Sequence, residues 1–198
     1  MNGHFQITTV RLRLRQWRDS DRADFARLTA DPEVMAFFPA TLSRDESDAL
    51  VTRLQDLIAD NGFGFWAVEL LESGECIGFI GLHEVLDLPC GPGIEIGWRL
   101  ARAHWGKGYA TEGALAARDF AFAQLDLDEL IALAVVANFP SRAVMTRIGM
   151  TDTGRNFAHP RIAADSPLSE HVLYSLQKSD YEQLEKAGTA IVEWISTN

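Results

Sequence analysis

The sequence predicts an α+β fold around a single mixed β-sheet. Most of the predicted strands follow one another as an antiparallel meander, and one strand–helix–strand crossover lies near the middle of the chain. The chain has 198 residues, of which 47% are hydrophobic, and this is enough for one domain with a substantial core. Residues 1–198 are therefore expected to form a single domain.

The first part of the chain predicts one strand and two short helices. In residues 9–17 apolar side chains alternate with arginines, which is the period of a β-strand. Ser20 or Asp21 can cap a short helix that runs to Thr29. A second short helix is expected after Pro32.

A longer helix and a β-hairpin come next. Ser43 and Glu46 form a capping-box pattern at the start of a helix that extends to about Ala59. Residues 72–74 then form a tight turn between two predicted strands. These strands are residues 63–71 and 75–85.

The crossover occupies the middle of the chain. Residues 94–100 and 129–136 are predicted strands, and the alanine-rich residues 110–125 between them are a predicted helix. Together with the antiparallel hairpin, this crossover makes the predicted sheet a mixed one.

The last part of the chain predicts two helices and two strands. Asn138 is a plausible cap for a helix over residues 140–148. Strands are expected near residues 151–158 and 170–177. Residues 180 to about 195 are expected to form a terminal helix.

The composition and the termini exclude several classes of protein. A net charge of −10 disfavours a nucleic-acid-binding surface and mildly favours cationic substrates such as amines. No apolar run approaches the roughly 20 residues that a membrane span requires, and no signal peptide is visible. Cys76 and Cys90 do not suggest a disulfide framework, and no cluster of side chains has metal-ligand spacing. A cytoplasmic protein without a metal or a membrane contact is therefore expected.

The most informative segment is His104–Glu112, which joins a predicted strand to a predicted helix. Such a helix start leaves backbone N–H groups unpaired, and with the helix dipole they form an anion site suited to a pyrophosphate. Gly106 and Gly108 permit the positive φ angles that this loop needs. The order Gly-Lys-Gly does not match a Walker loop, and a dinucleotide fingerprint would need a third glycine at Thr111. An ordinary strand-to-helix turn would use the same two glycines.

Four motifs in this order resemble the GNAT N-acetyltransferases. They are residues 11–15, 31–35, 105–112 and the Asn138-x-x-Ser141 pair, and the likeness extends from about residue 7 to residue 178. The chain is most similar to the RimJ/RimL-like branch, whose named members acetylate the N-termini of ribosomal proteins. The resemblance implies the GNAT fold, acetyl-CoA as donor, and an amine acceptor that is either a protein N-terminus or a small molecule.

The resemblance also implies where the donor binds. The strands at 94–100 and 129–136 are expected to splay apart, with the pantetheine between them and the pyrophosphate on backbone N–H groups of the following loop. Gly97 is consistent with a bulge or a close backbone approach in the first of these strands. The expected cofactor-binding residues are Trp98, Leu100, His104, Trp105, Gly106, Lys107, Gly108, Tyr109, Ala110 and Asn138.

Two residues are expected to carry the chemistry. Glu95 shares a strand face with Gly97 and Arg99 and is the favoured general base, and Glu69 and His83 are the alternatives. An ion pair of Glu95 with a nearby arginine would instead be structural. Ser141 is expected to protonate the leaving thiolate, because Met145 stands where many family members have a tyrosine. A serine that only stabilises a helix start would look the same.

Other features leave the reaction partly open. Neither cysteine has a histidine partner, so direct attack in a ternary complex is favoured over a covalent enzyme intermediate. An aminoglycoside or polyamine acceptor and a non-catalytic acyl-CoA sensor are the alternatives, and the chain is expected to be a monomer or a homodimer. The aromatic residues expected to line the acceptor cleft are Trp17, Phe37, Phe38, Phe63, Phe65 and Trp66.

Overall fold

A ten-stranded mixed sheet organises residues 4–186 and 193–197, the part of the chain that the computed structural model describes. The strands are β1 (His4–Thr8), β2 (Leu12–Arg15), β3 (Phe65–Leu70), β4 (Cys76–Val85), β5 (Gly93–Leu100), β6 (Glu129–Val135), β7 (Thr151–Asp152), β8 (Phe157–Ala158), β9 (Glu170–Gln177) and β10 (Glu193–Thr197). The α-helices are α1 (Arg22–Thr29), α2 (Arg44–Asn61), α3 (Tyr109–Gln124), α4 (Phe139–Arg147) and α5 (Lys178–Lys186). Short 3-10 turns lie at Asp19–Asp21 and Arg102–His104.

The strand order confirms the predicted α+β class. Along the sheet the order is β10-β1-β2-β3-β4-β5-β6-β9-β7, and β8 pairs with β9. Every pairing is antiparallel except that of β5 with β6, which is parallel and is connected through α3. Parallel neighbours need such a crossover, whereas the β3–β4 hairpin closes through the short turn that the sequence predicts.

Helices cover both faces of the sheet. Phe25 of α1 lies 6.1 Å from Phe79 of β4, measured between ring centroids. On α3, a Cβ added to Gly113 would come within 2.4 Å of the Cδ1 atom of Ile80. Because neighbouring residues on a strand point to opposite faces, α1 and α3 pack on opposite sides of β4. A side chain at position 113 would therefore displace the end of the Ile80 side chain, because α3 lies close to the sheet there.

The longer predicted helix, α2, begins and ends close to the predicted residues. The Ser43 side chain accepts from the N–H of Glu46, and the Glu46 carboxylate accepts from the N–H of Ser43, which is the predicted capping box. The helix ends two residues later than predicted, and Gly62 follows it at φ 79°. None of the helices described is long and apolar enough to cross a membrane.

The N-terminal predictions need three corrections. Residues 9–11 form a turn and not part of a strand, because the N–H of Thr9 bonds to the carbonyl of Leu12, and Val10 is 91% exposed. The segment after Pro32 forms turns without a helix. No side chain caps α1, because the Asp21 carboxylate instead accepts from the backbone N–H of Arg18.

The C-terminal predictions need two corrections. The expected strand near residues 151–158 is two short strands, β7 and β8, that both pair with β9. The expected helix over residues 180–195 ends at Lys186, residues 187–192 of that prediction lie outside the described part, and β10 pairs with β1. Strand β10 contains Trp194 and Ile195, residue types that favour strands, and β1 offers it a sheet edge.

Candidate active site

A cleft of about 1480 Å³ opens where β5 and β6 separate. The two strands pair only at Ile94 with Leu130 and at Glu95 with Ile131, within the described residues. Beyond these pairs the strands diverge, and the remainder of β5 lines one wall of the cleft while residues 133–135 of β6 line the other. The predicted splay of the two strands is therefore present.

The ladder between β4 and β5 directs particular backbone groups into this gap. The N–H of Ala101 bonds to the carbonyl of Ile77 at 2.8 Å, next to the register pair of Leu100 with Gly78. Hydrogen-bonded pairs alternate along an antiparallel ladder, so Trp98 and Leu100 turn their backbone groups away from β4 and toward the gap. The carbonyl of Leu100 is already occupied, because it accepts from the indole Nε1 of Trp105 at 2.7 Å.

Gly97 lies at the centre of this wall. The β4–β5 register runs without a break from Gly93 to Leu100, so Gly97 is not the site of a bulge in that ladder. A Cβ at this position would come within 3.0 Å of the Phe65 ring. The glycine is needed because this aromatic side chain packs against its backbone.

The start of α3 presents a run of unpaired amides at the end of the cleft. Gly106 and Gly108 have φ angles of 73° and 82°, and no side chain caps the helix. Helix geometry leaves the N–H groups of Tyr109 and Ala110 without an intrahelical acceptor. No acceptor within the described residues is found for the N–H groups of Gly106, Lys107 and Gly108. The N–H of Thr111 also precedes the first intrahelical bond, from Glu112 to the carbonyl of Gly108, so six consecutive amides are available to an anion.

At the N-terminal end of this loop, fewer backbone N–H groups are unpaired than the sequence predicts. The N–H of His104 bonds to the carbonyl of Ala101 at 2.9 Å, and the N–H of Trp105 bonds to that of Arg102 at 3.2 Å. The expectation that His104 and Trp105 offer backbone N–H groups to an anion is therefore wrong, because a 3-10 turn uses both. Their side chains still line the cleft.

An ion pair that sequence reasoning missed holds this loop in place. The Arg11 guanidinium lies 2.6 Å from the Glu112 carboxylate, and its Nη1 donates to the carbonyl of Lys107 at 3.0 Å. The same carboxylate accepts from the N–H of Arg11 and from the Thr9 hydroxyl. The turn between β1 and β2 is thus fixed to the first turn of α3. No local spacing signals a contact between residues 101 positions apart.

Glu95 occupies the wall of the cleft without a partner. Its carboxylate makes no hydrogen bond or ion pair within the part of the chain described, so it is not the structural ion pair that the sequence left open. Desolvation raises the pKa of Glu95 to about 7. A carboxylate with a pKa near neutrality in a cleft can exchange protons at physiological pH.

The two alternative bases lie elsewhere. The Glu69 carboxylate is buried and contacts Arg13, Arg15 and Arg18 at 2.6–2.9 Å. Burial alone would raise the pKa of Glu69, but the hydrogen bond and charge of Arg15, with the other two arginines, leave it below its usual value. His83 stacks on Phe65, and neither Glu69 nor His83 lines the cleft.

The opposite rim of the cleft is the start of α4. The Asn138 side-chain oxygen accepts from the N–H of Ser141 at 3.2 Å, so Asn138 does cap the helix. The Ser141 hydroxyl lines the cleft and has no hydrogen-bond partner among the described residues. Met145 lines the same rim and is 1% exposed. Its thioether side chain packs there and cannot donate a proton.

The face of the sheet that carries Glu95 forms an aromatic and cationic wall. Phe37, Phe38 and Phe65 line it as expected, whereas Trp17 and Trp66 are buried in the core and Phe63 packs at its edge. The structure adds residues that the sequence did not assign to the site. They are Phe79, Arg99, His159, Arg161 and His171.

The two histidines of this wall have neighbouring rings. The ring centroids of His159 and His171 lie 4.9 Å apart. Burial lowers the pKa of both, and the charge of Arg161 and the neighbouring His171 lower that of His159 further. Within the described residues, no group of three or more His, Cys, Asp or Glu side chains could hold a metal ion.

Comparisons with known proteins agree with this architecture. The family model described as an acetyltransferase (GNAT) domain matches residues 11–151. The Bacillus subtilis protein YkkB is 32% identical over 153 residues, which cover 76% of this chain and 87% of that protein. The Aspergillus fumigatus FsC-acetyl coenzyme A-N(2)-transacetylase is 29% identical over 196 residues, which cover 95% of this chain and 83% of that protein.

A solved structure shows the same fold. Mycobacterium smegmatis RimJ, in complex with CoA-disulfide, superimposes with a TM-score of 0.71 at 21% identity and covers 96% of this chain and 97% of its own.

Proposed function

The chain belongs to the GNAT family of acetyltransferases, and from this premise we propose that it moves an acetyl group from acetyl-CoA to a primary amine by direct attack in a ternary complex. One observation carries the proposal: the gap between β5 and β6 leads directly to the unpaired amides at the start of α3. An extended chain that ends in a pyrophosphate matches both parts of that cleft. We propose further that residues 1–198 act as one catalytic domain.

The donor is held mainly by the protein backbone. The amides from Gly106 to Ala110 bind the pyrophosphate, and the turned-out carbonyl of Trp98 and the free N–H of Leu100 bond to the pantetheine. Asn138 contacts it from the rim of α4. Arg11 supports the loop through Lys107 and Glu112. Acetyl-CoA supplies the acetyl group as a thioester.

Glu95 acts as the general base. It accepts a proton from the acceptor ammonium, directly or through a water, and the neutral amine then attacks the thioester carbonyl carbon. The backbone N–H of Trp98 donates to the oxygen that gains negative charge, and one such donor typically contributes about 3 kcal/mol. The new C–N bond forms as the C–S bond breaks.

Ser141 completes the proton transfer. Its hydroxyl makes no hydrogen bond to any of the described residues, and Ser141 lies on the rim of the same cleft. The hydroxyl gives a proton to the departing sulfur and takes one from water, while the nitrogen that attacked releases its extra proton to solvent, so that a neutral amide and a free thiol form. The sulfur needs little help because a thiol has a reference pKa of about 8.5.

The pKa of Glu95 supports an α-amine as acceptor. An N-terminal α-amino group has a reference pKa of about 7.7–8.0, whereas a lysine side chain is near 10.4. A base with a pKa of about 7 is well matched to the first and poorly matched to the second. We therefore propose that peptide N-termini, or small molecules with amines of similar basicity, are the acceptors.

Two measurements test the proposed function. Calorimetry with acetyl-CoA and CoA is expected to show saturable binding to a single site. An assay of free CoA thiol is expected to show release that depends on an added amine, across a panel of peptides, polyamines and aminoglycosides. Binding without any amine-dependent release would support a sensor and contradict the enzyme, and the absence of binding would contradict both.

We expect Ser141→Ala to lower kcat by about tenfold to a hundredfold, at or below the lower end of the usual contribution of positioned proton transfer, because the departing sulfur needs little help. The affinity for CoA is expected to stay within twofold, because the N–H of Ser141 that Asn138 caps is retained. Single-turnover rates with a chemistry-limited acceptor make the comparison. Thr146→Ala, a substitution on the exposed side of α4 outside the cleft, is the control. An unchanged rate in the Ser141 variant would remove this residue as the proton donor.

A further inference from the structure

Arg99 is a guanidinium without a counter-ion on the wall that carries Glu95. It makes no hydrogen bond or ion pair within the described part of the chain, and its Nε is buried without a partner. Among the other charged residues that line the cleft, Arg11 pairs with Glu112 and Glu33 pairs with Arg102, whereas Glu95, Arg147 and Arg161 form no ion pair within the described residues. A buried polar group without a partner is costly, so this one is suited to a partner that arrives with a ligand.

Aromatic rings restrict how that partner can approach. The guanidinium carbon of Arg99 lies 3.8 Å from the centre of the Phe38 ring and 5.3 Å from that of Phe79. Rings stacked on a guanidinium leave its N–H donors free in the plane of the group. A carboxylate has the planar geometry that accepts two parallel N–H bonds from this edge.

The charges of the wall favour an anionic group in the acceptor. Arg161 also lines the cleft and forms no ion pair among the described residues, so the unpaired charges facing the acceptor include two cations and only Glu95 as an anion. Burial lowers the pKa of Arg99 to about 10, which leaves it charged at neutral pH. The unpaired charges of this wall are therefore mostly positive, whereas the whole chain has a net charge of −10, which by itself favours cationic substrates.

The spacing along β5 places the two functional groups at a distance. Glu95 and Arg99 lie four residues apart on the same strand face, which separates their Cα atoms by about 13 Å. Gly97 lies midway between them, and the Phe65 ring packs against its backbone. The acceptor amine and the anionic group are therefore separated by several bonds and are not on the same atom.

We propose that Arg99 binds a carboxylate of the acceptor, so that the enzyme favours primary amines that carry a carboxylate several bonds away from the amine. The proposal rests on the proposed acetyl transfer and makes it more specific. It assigns recognition of the acceptor to a residue that takes no part in the proton transfers.

Matched pairs of acceptors test this preference. The pairs are alanyl-aspartate with alanyl-asparagine, alanyl-glutamate with alanyl-glutamine, and alanyl-glycyl-glutamate with alanyl-glycyl-glutamine, all as C-terminal amides, so that each compound has an α-amine as its only amine. With wild-type protein, kcat/KM is expected to be at least tenfold higher for the carboxylate of the best pair. Arg99→Gln is expected to lower that value at least tenfold and to leave the matching amide within twofold. Arg99→Lys is expected to retain part of the preference.

Comparing each variant with wild type on the same compound cancels the difference in amine basicity within a pair. Arg44→Gln is the control, since Arg44 pairs with Asp48 on the exposed surface of α2 and lies outside the cleft. Circular dichroism and CoA titration establish that each variant is folded. If Arg99→Gln lowers turnover of the acid and its amide equally, Arg99 only supports Phe38 and the proposal is wrong.

A binding experiment separates this proposal from the proposed function. The N-acetyl derivatives of the same acids and amides are titrated into protein saturated with CoA, where no reaction occurs. Tighter binding of the acids that is lost in Arg99→Gln would support the carboxylate site even if no amine is acetylated. Turnover of amines with no preference for acids would leave the acetyltransferase in place and overturn the carboxylate site.

Discussion

Glu95→Gln is expected to lower kcat by about a hundredfold to ten-thousandfold, the usual contribution of a positioned general base. In wild-type protein kcat/KM is expected to rise with pH through about 7, as Glu95 loses its proton. The variant lacks this group, so its rate is expected to rise only at more alkaline pH, where the acceptor amine itself becomes neutral. Rates measured from pH 5.5 to 9.5 at saturating acetyl-CoA make the comparison.

Glu84→Gln is the matched control for this change. Glu84 is exposed on the neighbouring strand, next to His83, and lies outside the cleft. We expect the control to keep the wild-type rate and pH profile. A Glu95 variant with an unaltered profile would place the base at another residue.

The stability of the same variant gives an independent test. The pKa of Glu95 is raised from 4.5 to about 7 in the folded protein, so between these values the folded state holds a proton that the unfolded chain has released. The free energy of unfolding therefore falls as pH rises through this window. The Glu95→Gln variant has no carboxyl group at this position and does not lose stability in this way. The Tm of the variant is therefore expected to exceed that of wild type at pH 8 and to match it near pH 4.5. A lower Tm at pH 8 would contradict the desolvation of Glu95.

Gly106→Ala is expected to raise the Kd for CoA at least tenfold, which corresponds to about 1.4 kcal/mol. Gly106 has a φ of 73°, and alanine avoids this conformation at a cost of about 1–2 kcal/mol. Relaxation of the loop to a negative φ would turn the unpaired amides away from their shared direction. Calorimetric titration with CoA measures the change.

Gly74 in the turn of the β3–β4 hairpin provides a matched control for the Gly106 substitution. Gly74 has a φ of 74°, and, as at Gly106, an added Cβ would meet nothing within 4 Å. Gly74→Ala is therefore expected to lower the free energy of unfolding by the same amount and to leave CoA binding unchanged. Equal Kd values for the two variants would mean that the loop at residues 106–110 does not hold the pyrophosphate.

The sequence predicted the parts of the fold that depend on local signals. The capping box at Ser43 and Glu46 and the crossover through α3 are encoded in short stretches of residues. The predicted helix over residues 180–195 is present as far as Lys186, but residues 193–195 of that prediction belong to β10, which pairs with β1 at the other end of the chain. A strand at a sheet edge is decided by that partner, and local helix propensity does not reveal it.

In the candidate site, too, the sequence predicted only what local signals determine. Glu95 and Ser141 lie in one cleft because strand alternation and the start of a helix fix where they point. Arg99 and Arg161 were not assigned to the acceptor wall, since their role depends on Phe38, Phe79 and the loop after β8, which approach from elsewhere in the chain. The number of unpaired cations on that wall follows from tertiary contacts and not from composition.

The contact between Arg11 and Glu112 has a consequence for how this protein is assembled during synthesis. The arginine leaves the ribosome about one hundred residues before the carboxylate that it will meet. The loop at residues 106–110 is therefore expected to reach its final position late, only after the turn between β1 and β2 has docked beside α3. We expect nascent chains that lack α3 not to bind coenzyme A.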